Sequence, residues 1–136
     1  MNIISIGLDK NLFDPTSSVV RRQKLYCKAF GGENNIIVHT GKSFKKVTYE
    51  GITVYPSNSF LKPFFILDAF FLAKKILKKE KIDLIVTQDP HICGLIGLII
   101  KLFYKIPLCV HFHADFLDNK YWVKEFWLNR LFNFIS

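Results

Sequence analysis

The chain has 136 residues, of which 50% are apolar and 22% are charged. This composition argues against a disordered tail or a low-complexity linker and predicts one folded domain over residues 1–136. The formal net charge of +8 indicates an anionic neighbour, and by itself leaves nucleic acid, phosphorylated substrates and anionic lipid open. Three cysteines, far apart and odd in number, argue against a disulfide framework and favour a reducing cytoplasm.

The first half of the chain predicts a strand, a helix and then two further strands. Residues 2–8 are apolar and predict a buried strand. Thr16 or Ser17 then caps a helix that runs to about Phe30, where two glycines stop it. The next two elements are a short apolar strand over 35–40 and a small hairpin or irregular strand over 47–55.

The second half continues the alternation. A helix over 60–81 begins with phenylalanines and ends with lysines. It is followed by a strand over 82–87, a helix over 91–104, a strand over 108–113 and a last helix over 121–135. This order predicts an α/β fold: a Rossmann-like parallel sheet with helices on both faces and the strand order 3-2-1-4-5.

Apolar side chains exceed what a core of this size needs, since 14 residues are phenylalanine. We expect the phenylalanines of 60–72 to cover the sheet, because most aromatic residues on helices are buried. The alternative is that they and the basic charge meet an anionic membrane surface. The last helix, 121–135, is apolar nearly all round, which predicts that the chain is the first part of something larger or associates through this end.

Glycine-rich cofactor motifs are incomplete. Residues 41–43 imitate the end of a phosphate-binding P-loop, but Ile36 stands where the motif needs its first glycine. After the first strand, Gly7 is not followed by the second and third glycines of a dinucleotide fingerprint. The sequence therefore predicts no NAD or FAD.

An H-x-H-x-D run ends the strand over 108–113. His111, His113 and Asp115 alternate, so they would share one face of an extended segment and could converge on a metal. Phe116 stands where such ligand sets continue with a histidine, and no further cluster supplies ligands. A metal-dependent hydrolase remains the weaker alternative, and we predict no metal.

Polar residues follow two of the predicted strands. Gln88 and Asp89 come after the strand over 82–87, where polar side chains of a doubly wound sheet line the ligand crevice. Asp89 fits equally well as a helix N-cap before a proline at the first helical position. Arg21 and Arg22 lie in the predicted first turn of a helix, where a bound anion such as phosphate would explain two cations, although a solvated pair remains an alternative.

The order of these pieces resembles the amino-terminal domain of family-4-like glycosyltransferases of the GT-B fold. The resemblance rests on Ser-Val-Val-Arg-Arg at 18–22, on IVTQDPHICGLIGLIIKLFYKIPLCVHFHADF at 85–116, and on the aromatic helix that contains Leu128, Asn129 and Arg130. In that family a strand ending in an acidic-Pro pair, a small-residue helix, an Ile-Pro breaker and a strand ending in His-Gly or His-Thr recur.

The resemblance implies transfer of a sugar from a nucleotide-sugar donor to a glycan or lipid-linked acceptor, with retention of configuration and without a metal or other cofactor. It implies that His113 is the active-site histidine near the transferred sugar. Asp115 would border the acceptor, and Gln88 and Asp89 would face the cleft, while Arg21 and Arg22 would meet phosphate oxygens.

The strand order places Asp9, at the end of the first strand, on the same crevice. Residues 9–18 replace the paired glycines that many members carry in this loop. The expected partners are therefore the donor, the acceptor and a carboxyl-terminal domain before which this chain is truncated, with no nucleic acid. We expect little activity from the chain alone, a location in the cytoplasm, and peripheral contact with the inner face of the cell membrane. A non-enzymatic α/β docking module is the main alternative.

Overall fold

The computed structural model describes residues 1–41 and 43–111, along which strands and helices alternate. The strands are β1 (Ile3–Gly7), β2 (Asn34–Val38), β3 (Val47–Tyr49), β4 (Ile52–Pro56), β5 (Leu84–Thr87) and β6 (Leu108–Val110). The helices are α1 (Ser18–Phe30), α2 (Lys62–Leu77) and α3 (Ile92–Tyr104), and a short 3-10 helix covers Lys10–Phe13. The predicted helix over 121–135 lies outside the described residues.

The sheet has the order β3-β4-β2-β1-β5-β6 in the described part of the chain. All neighbouring strands are parallel except β3, which pairs antiparallel with β4 as a hairpin. If the hairpin counts as the third strand, this is the predicted order 3-2-1-4-5. The α/β fold class and the Rossmann-like sheet are confirmed.

Local signals set the ends of α1 as predicted. The Ser17 hydroxyl oxygen accepts a hydrogen bond from the amide of Val20 at 3.2 Å, which satisfies one free donor of the first turn. At the other end Gly31 adopts a left-handed conformation with φ of 64°, and its amide donates to the carbonyl of Cys27.

The core lies on both faces of the sheet because successive strand residues point to opposite sides. On one face, Ile4, Ile6 and Ile37 pack with buried residues of α2 and α3. On the other face, Ile36 and Val38 pack in a second cluster with α1 and the 3-10 helix. In the described part of the chain, none of the helices is long and apolar enough to cross a membrane.

The expectation that the phenylalanines of α2 cover the sheet is only partly correct. Phe65 is fully buried and Phe70 is packed against the core. Phe60, Phe64 and Phe71 are exposed. A helix that covers a sheet buries one side only, and Phe64 and Phe71 lie on the side of α2 turned away from the sheet, while Phe60 precedes the helix.

Candidate functional site

The strand order reverses between β1 and β5, two parallel neighbours in register with Ile6 opposite Thr87. The chain leaves β1 toward α1 on one face of the sheet and leaves β5 toward α3 on the other face. The two connecting segments therefore diverge and leave a crevice at the carboxyl ends of the strands. Leu8 and Asp9 follow β1 directly, and Gln88 and Asp89 follow β5 directly.

A cavity of about 450 Å³ fills this crevice. The structure brings together around it four of the residues singled out from the sequence: Asp9, Arg22, Gln88 and Asp89. Leu8 completes the lining and was not anticipated, since an apolar residue after a strand carries no signal for a binding site. The cavity thus combines two carboxylates, one guanidinium and one amide.

Only one of the two carboxylate oxygens of Asp89 accepts hydrogen bonds from the backbone amides of the next turn. Its Oδ1 accepts bonds from the amides of His91 at 2.9 Å and Cys93 at 3.4 Å. Its Oδ2 is buried and makes no hydrogen bond with the residues that the structure describes. A buried acceptor without a partner costs free energy, so this oxygen is suited to a donor group on a ligand.

The capping role foreseen for Asp89 is present, but the helix begins later than predicted. α3 starts at Ile92 with His91 at the N-cap, so Pro90 precedes the helix and is not its first residue. The carboxylate of Asp89 reaches across this turn to the amides at the start of α3. Capping and a position in the crevice are compatible here.

Asp9 is held in a similar way, because its Oδ1 accepts a hydrogen bond from the Asn11 amide at 3.0 Å and caps the 3-10 helix. Arg21 and Arg22 are not both in the first turn as predicted. The helix begins at Ser18, so they straddle the boundary between the first and second turns. Adjacent helical residues point about 100° apart, and only Arg22 lines the cavity.

The side chain of Gln88 lies directly against the backbone of Gly7. A Cβ built on Gly7 would overlap the Oε1 and Cδ atoms of Gln88 and come within 2.9 Å of Nε2. The backbone amide of Gln88 also donates a hydrogen bond to the carbonyl of Ile6 at 3.0 Å. The missing side chain of Gly7 therefore gives the Gln88 amide its place at the cavity, a role that no glycine motif in the sequence indicated.

The thiol of Cys93, which lies next to Asp89, is not suited to act as a nucleophile. Burial, followed by the neighbouring Asp89 carboxylate, raises the pKa of this thiol well above its usual range. The thiol therefore stays protonated near neutral pH and is a poor nucleophile.

A second groove, of about 390 Å³, adjoins the crevice and shares Arg22 and Gln88 with it. It lies over the face of the sheet beside α1, where Tyr26 and Phe30 of α1 form one apolar wall. Leu84, Val86 and Ile3 contribute further apolar lining from β5 and β1. Within residues 1–41 and 43–111, no helix covers this part of the sheet.

Two of the predicted site residues, His113 and Asp115, lie outside the described residues, so their roles stay predictions. The same holds for the H-x-H-x-D hypothesis, of which only His111 is described. His111 follows β6, is exposed, and lies on the second groove.

The sheet order and the helices on both faces define a Rossmann-like domain with a polar crevice at the carboxyl ends of its parallel strands. The model of Glycosyltransferase Family 4 matches residues 19–136. The chain belongs to this family, and its general role is in glycosyl transfer. No curated relative matches the chain.

Proposed function

We propose that this chain is the acceptor-side domain of a retaining glycosyltransferase that moves a sugar from a nucleotide-sugar donor to a glycan or lipid-linked acceptor. Membership of the family supports glycosyl transfer. The observation that carries the proposal is the convergence of Asp9, Arg22, Gln88 and Asp89, from three different segments, on one cavity.

The mixture of groups in the cavity fits a sugar phosphate better than a simple anion. Carboxylates accept hydrogen bonds from sugar hydroxyls, and the carboxylates Asp9 and Asp89 both line the cavity. The guanidinium of Arg22 and the amide of Gln88 supply the donors that phosphate oxygens need. Phosphate groups without a sugar would use the two donors but would be partly repelled by the two carboxylates, so we expect them to bind only weakly.

The remaining roles follow from the family resemblance. His113 is proposed as the active-site histidine next to the transferred sugar, and Asp115 as a residue bordering the acceptor. A second domain would hold most of the donor, and the chain alone would have little activity because half of the positioning groups would be missing. The three free cysteines support a reducing, cytoplasmic setting.

The test is a titration of the ¹⁵N-labelled chain with inorganic pyrophosphate and with uridine, guanosine and adenosine diphosphates, followed by NMR. We expect millimolar binding that shifts the side-chain amide of Gln88 and the backbone amide of Asp9. Arg22→Ala should weaken the binding by roughly tenfold or more, because a hydrogen bond to a charged group contributes about 1.5–3 kcal/mol.

Arg21→Ala is the matched control, since Arg21 is the neighbouring arginine and does not line the cavity. It should bind as the unmodified chain does. If both variants lost affinity equally, the loss would reflect the lower net charge of the chain and not a specific contact of Arg22. Shifts confined to residues far from the crevice, or no shift with any of the four ligands, would contradict the proposed contact of Arg22 and Gln88 with the diphosphate of the donor.

A further inference from the structure

Helices α2 and α3 pack side by side on one face of the sheet. The side of these two helices that is turned away from the sheet carries many exposed apolar side chains. On α2 the side chains of Phe64, Leu67 and Phe71 are 54%, 57% and 56% exposed. Their spacing of three and four residues puts them on one side of the helix. The buried residues Phe65 and Ala69 lie on the opposite side, against the sheet.

A second apolar stripe runs along α3. Leu95, Leu98 and Leu102 are exposed and repeat at the same helical spacing. The two helices are neighbours, since the rings of Phe70 and Phe103 meet edge to face with centroids 5.4 Å apart. We call the combined surface the outer helical face: Phe64, Leu67 and Phe71 with Leu95, Leu98 and Leu102.

The charge beside the outer helical face is positive. Lys74, Lys75 and Lys78 continue the exposed stripe of α2 at the same spacing, and Lys101 and Lys105 are exposed at the end of α3. The acidic residues of this layer are engaged within the fold. Asp68 accepts a hydrogen bond from the Ser59 hydroxyl at 2.6 Å, and Glu80 accepts one from the side-chain amide of Asn35 at 3.0 Å.

We propose that the outer helical face binds a lipid bilayer that carries anionic headgroups. Exposed aromatic and aliphatic side chains would enter the interface between headgroups and acyl chains, and the lysines would contact anionic headgroups while their stems cover apolar surface. Exposed apolar side chains repeated along two neighbouring helices are typical of an interaction site. A second copy that docks through the same face fits less well, because it would bring the same lysines, and Asp68 and Glu80 of this layer are already hydrogen-bonded within the fold.

The experiment is co-sedimentation of the chain with vesicles of phosphatidylcholine alone or mixed with phosphatidylglycerol. We expect binding to the mixed vesicles that is at least tenfold tighter and that falls as salt is raised. Phe64→Ser/Phe71→Ser should weaken binding by roughly tenfold or more through lost apolar burial. Lys75→Glu/Lys78→Glu should do the same through lost attraction, at about fivefold or more for each lysine.

Leu25→Ser/Lys28→Glu is the matched control. These residues are an exposed leucine and an exposed lysine of α1, which packs on the other face of the sheet. The control should bind as the unmodified chain does, and thermal unfolding followed by circular dichroism should show all variants equally folded.

Several results would overturn the proposal. They are absence of binding to the mixed vesicles, equal binding to both compositions, and equal loss in the control. Light scattering provides one more: a dimer that Phe64→Ser/Phe71→Ser dissociates, without vesicle binding, would assign the face to a second copy of the chain.

Discussion

Replacing Gly7 with alanine should damage ligand binding without damaging the fold. Gly7 ends β1 in an ordinary strand conformation, so alanine is acceptable to the backbone there. Its methyl group, however, would occupy the space that holds the end of the Gln88 side chain. Because the obstructing atoms belong to the tip of a flexible side chain, we expect Gln88 to move rather than the strand.

The two effects on stability nearly cancel. Alanine restricts the unfolded chain and stabilises the fold by about 0.4–1 kcal/mol. Pushing Gln88 from its preferred rotamer costs about 0.5–1.5 kcal/mol. The free energy of unfolding should therefore change by no more than about 1 kcal/mol. Binding is different, since a lost hydrogen bond from Gln88 to a charged phosphate oxygen costs about 1.5–3 kcal/mol, or roughly 10-fold to 150-fold in affinity.

Urea unfolding measures the first quantity, and the pyrophosphate titration measures the second. The decisive comparison is a double-mutant cycle with Gln88→Ala. If Gly7 acts through Gln88, then Gly7→Ala should have almost no further effect on binding once Gln88 is truncated. A loss of several kcal/mol in stability, or an undiminished effect on binding in the Gln88→Ala background, would refute the reasoning.

Three further predictions concern stability. Gly97→Ala should destabilise the fold by about 1–3 kcal/mol in urea, because its Cβ would lie 2.7 Å from side-chain atoms of β5 and β6. Ser17→Ala should cost about 0.5–2 kcal/mol through the lost cap of α1, whereas Ser18→Ala, one residue on, should cost little. The raised pKa of Cys93 means that above pH 9.0, the ordinary thiol value, only the unfolded chain loses this proton. Cys93 alone should then lower the free energy of unfolding by about 1.4 kcal/mol per pH unit. Burial also raises the pKa of Cys27, so Cys93→Ala should remove only the Cys93 share of the fall.

The fold was predictable because its local signals agree with one another. Ser17 caps the start of α1, and Gly31 ends the helix in a left-handed conformation. The alternation of strands and helices is compatible with only a few topologies. The start of α3 was not predictable to the residue. Pro90 favours a first helical position, but the carboxylate of Asp89 reaches the amides of His91 and Cys93 and delays the helix to Ile92.

The sequence could predict which segments of the chain form the candidate site, but not which of their side chains line the cavity. Asp9, Gln88 and Asp89 follow parallel strands, so topology alone brings them to one edge of the sheet. Sequence could not separate Arg22 from Arg21, since the choice depends on the rotation of α1 about its axis. The support that Gly7 gives to Gln88 was also hidden, because it is a contact between neighbouring strands at positions 81 residues apart.

The two proposed surfaces have a fixed relation that follows from the parallel sheet. α2 leads from β4 back to the start of β5, so its first residues lie near the carboxyl edge, where the crevice opens, and Lys74, Lys75 and Lys78 lie toward the opposite edge. On the proposals above, Phe64, near the start of α2, would be the part of the bilayer contact nearest the crevice. A lipid-linked acceptor would then reach the site along the membrane, while the lysines anchor the far edge. Because the lysines are remote from the crevice, Lys75→Glu/Lys78→Glu should weaken vesicle binding and leave pyrophosphate binding unchanged. When these substitutions are combined with Arg22→Ala in one chain, their effects on the free energies of binding should be additive.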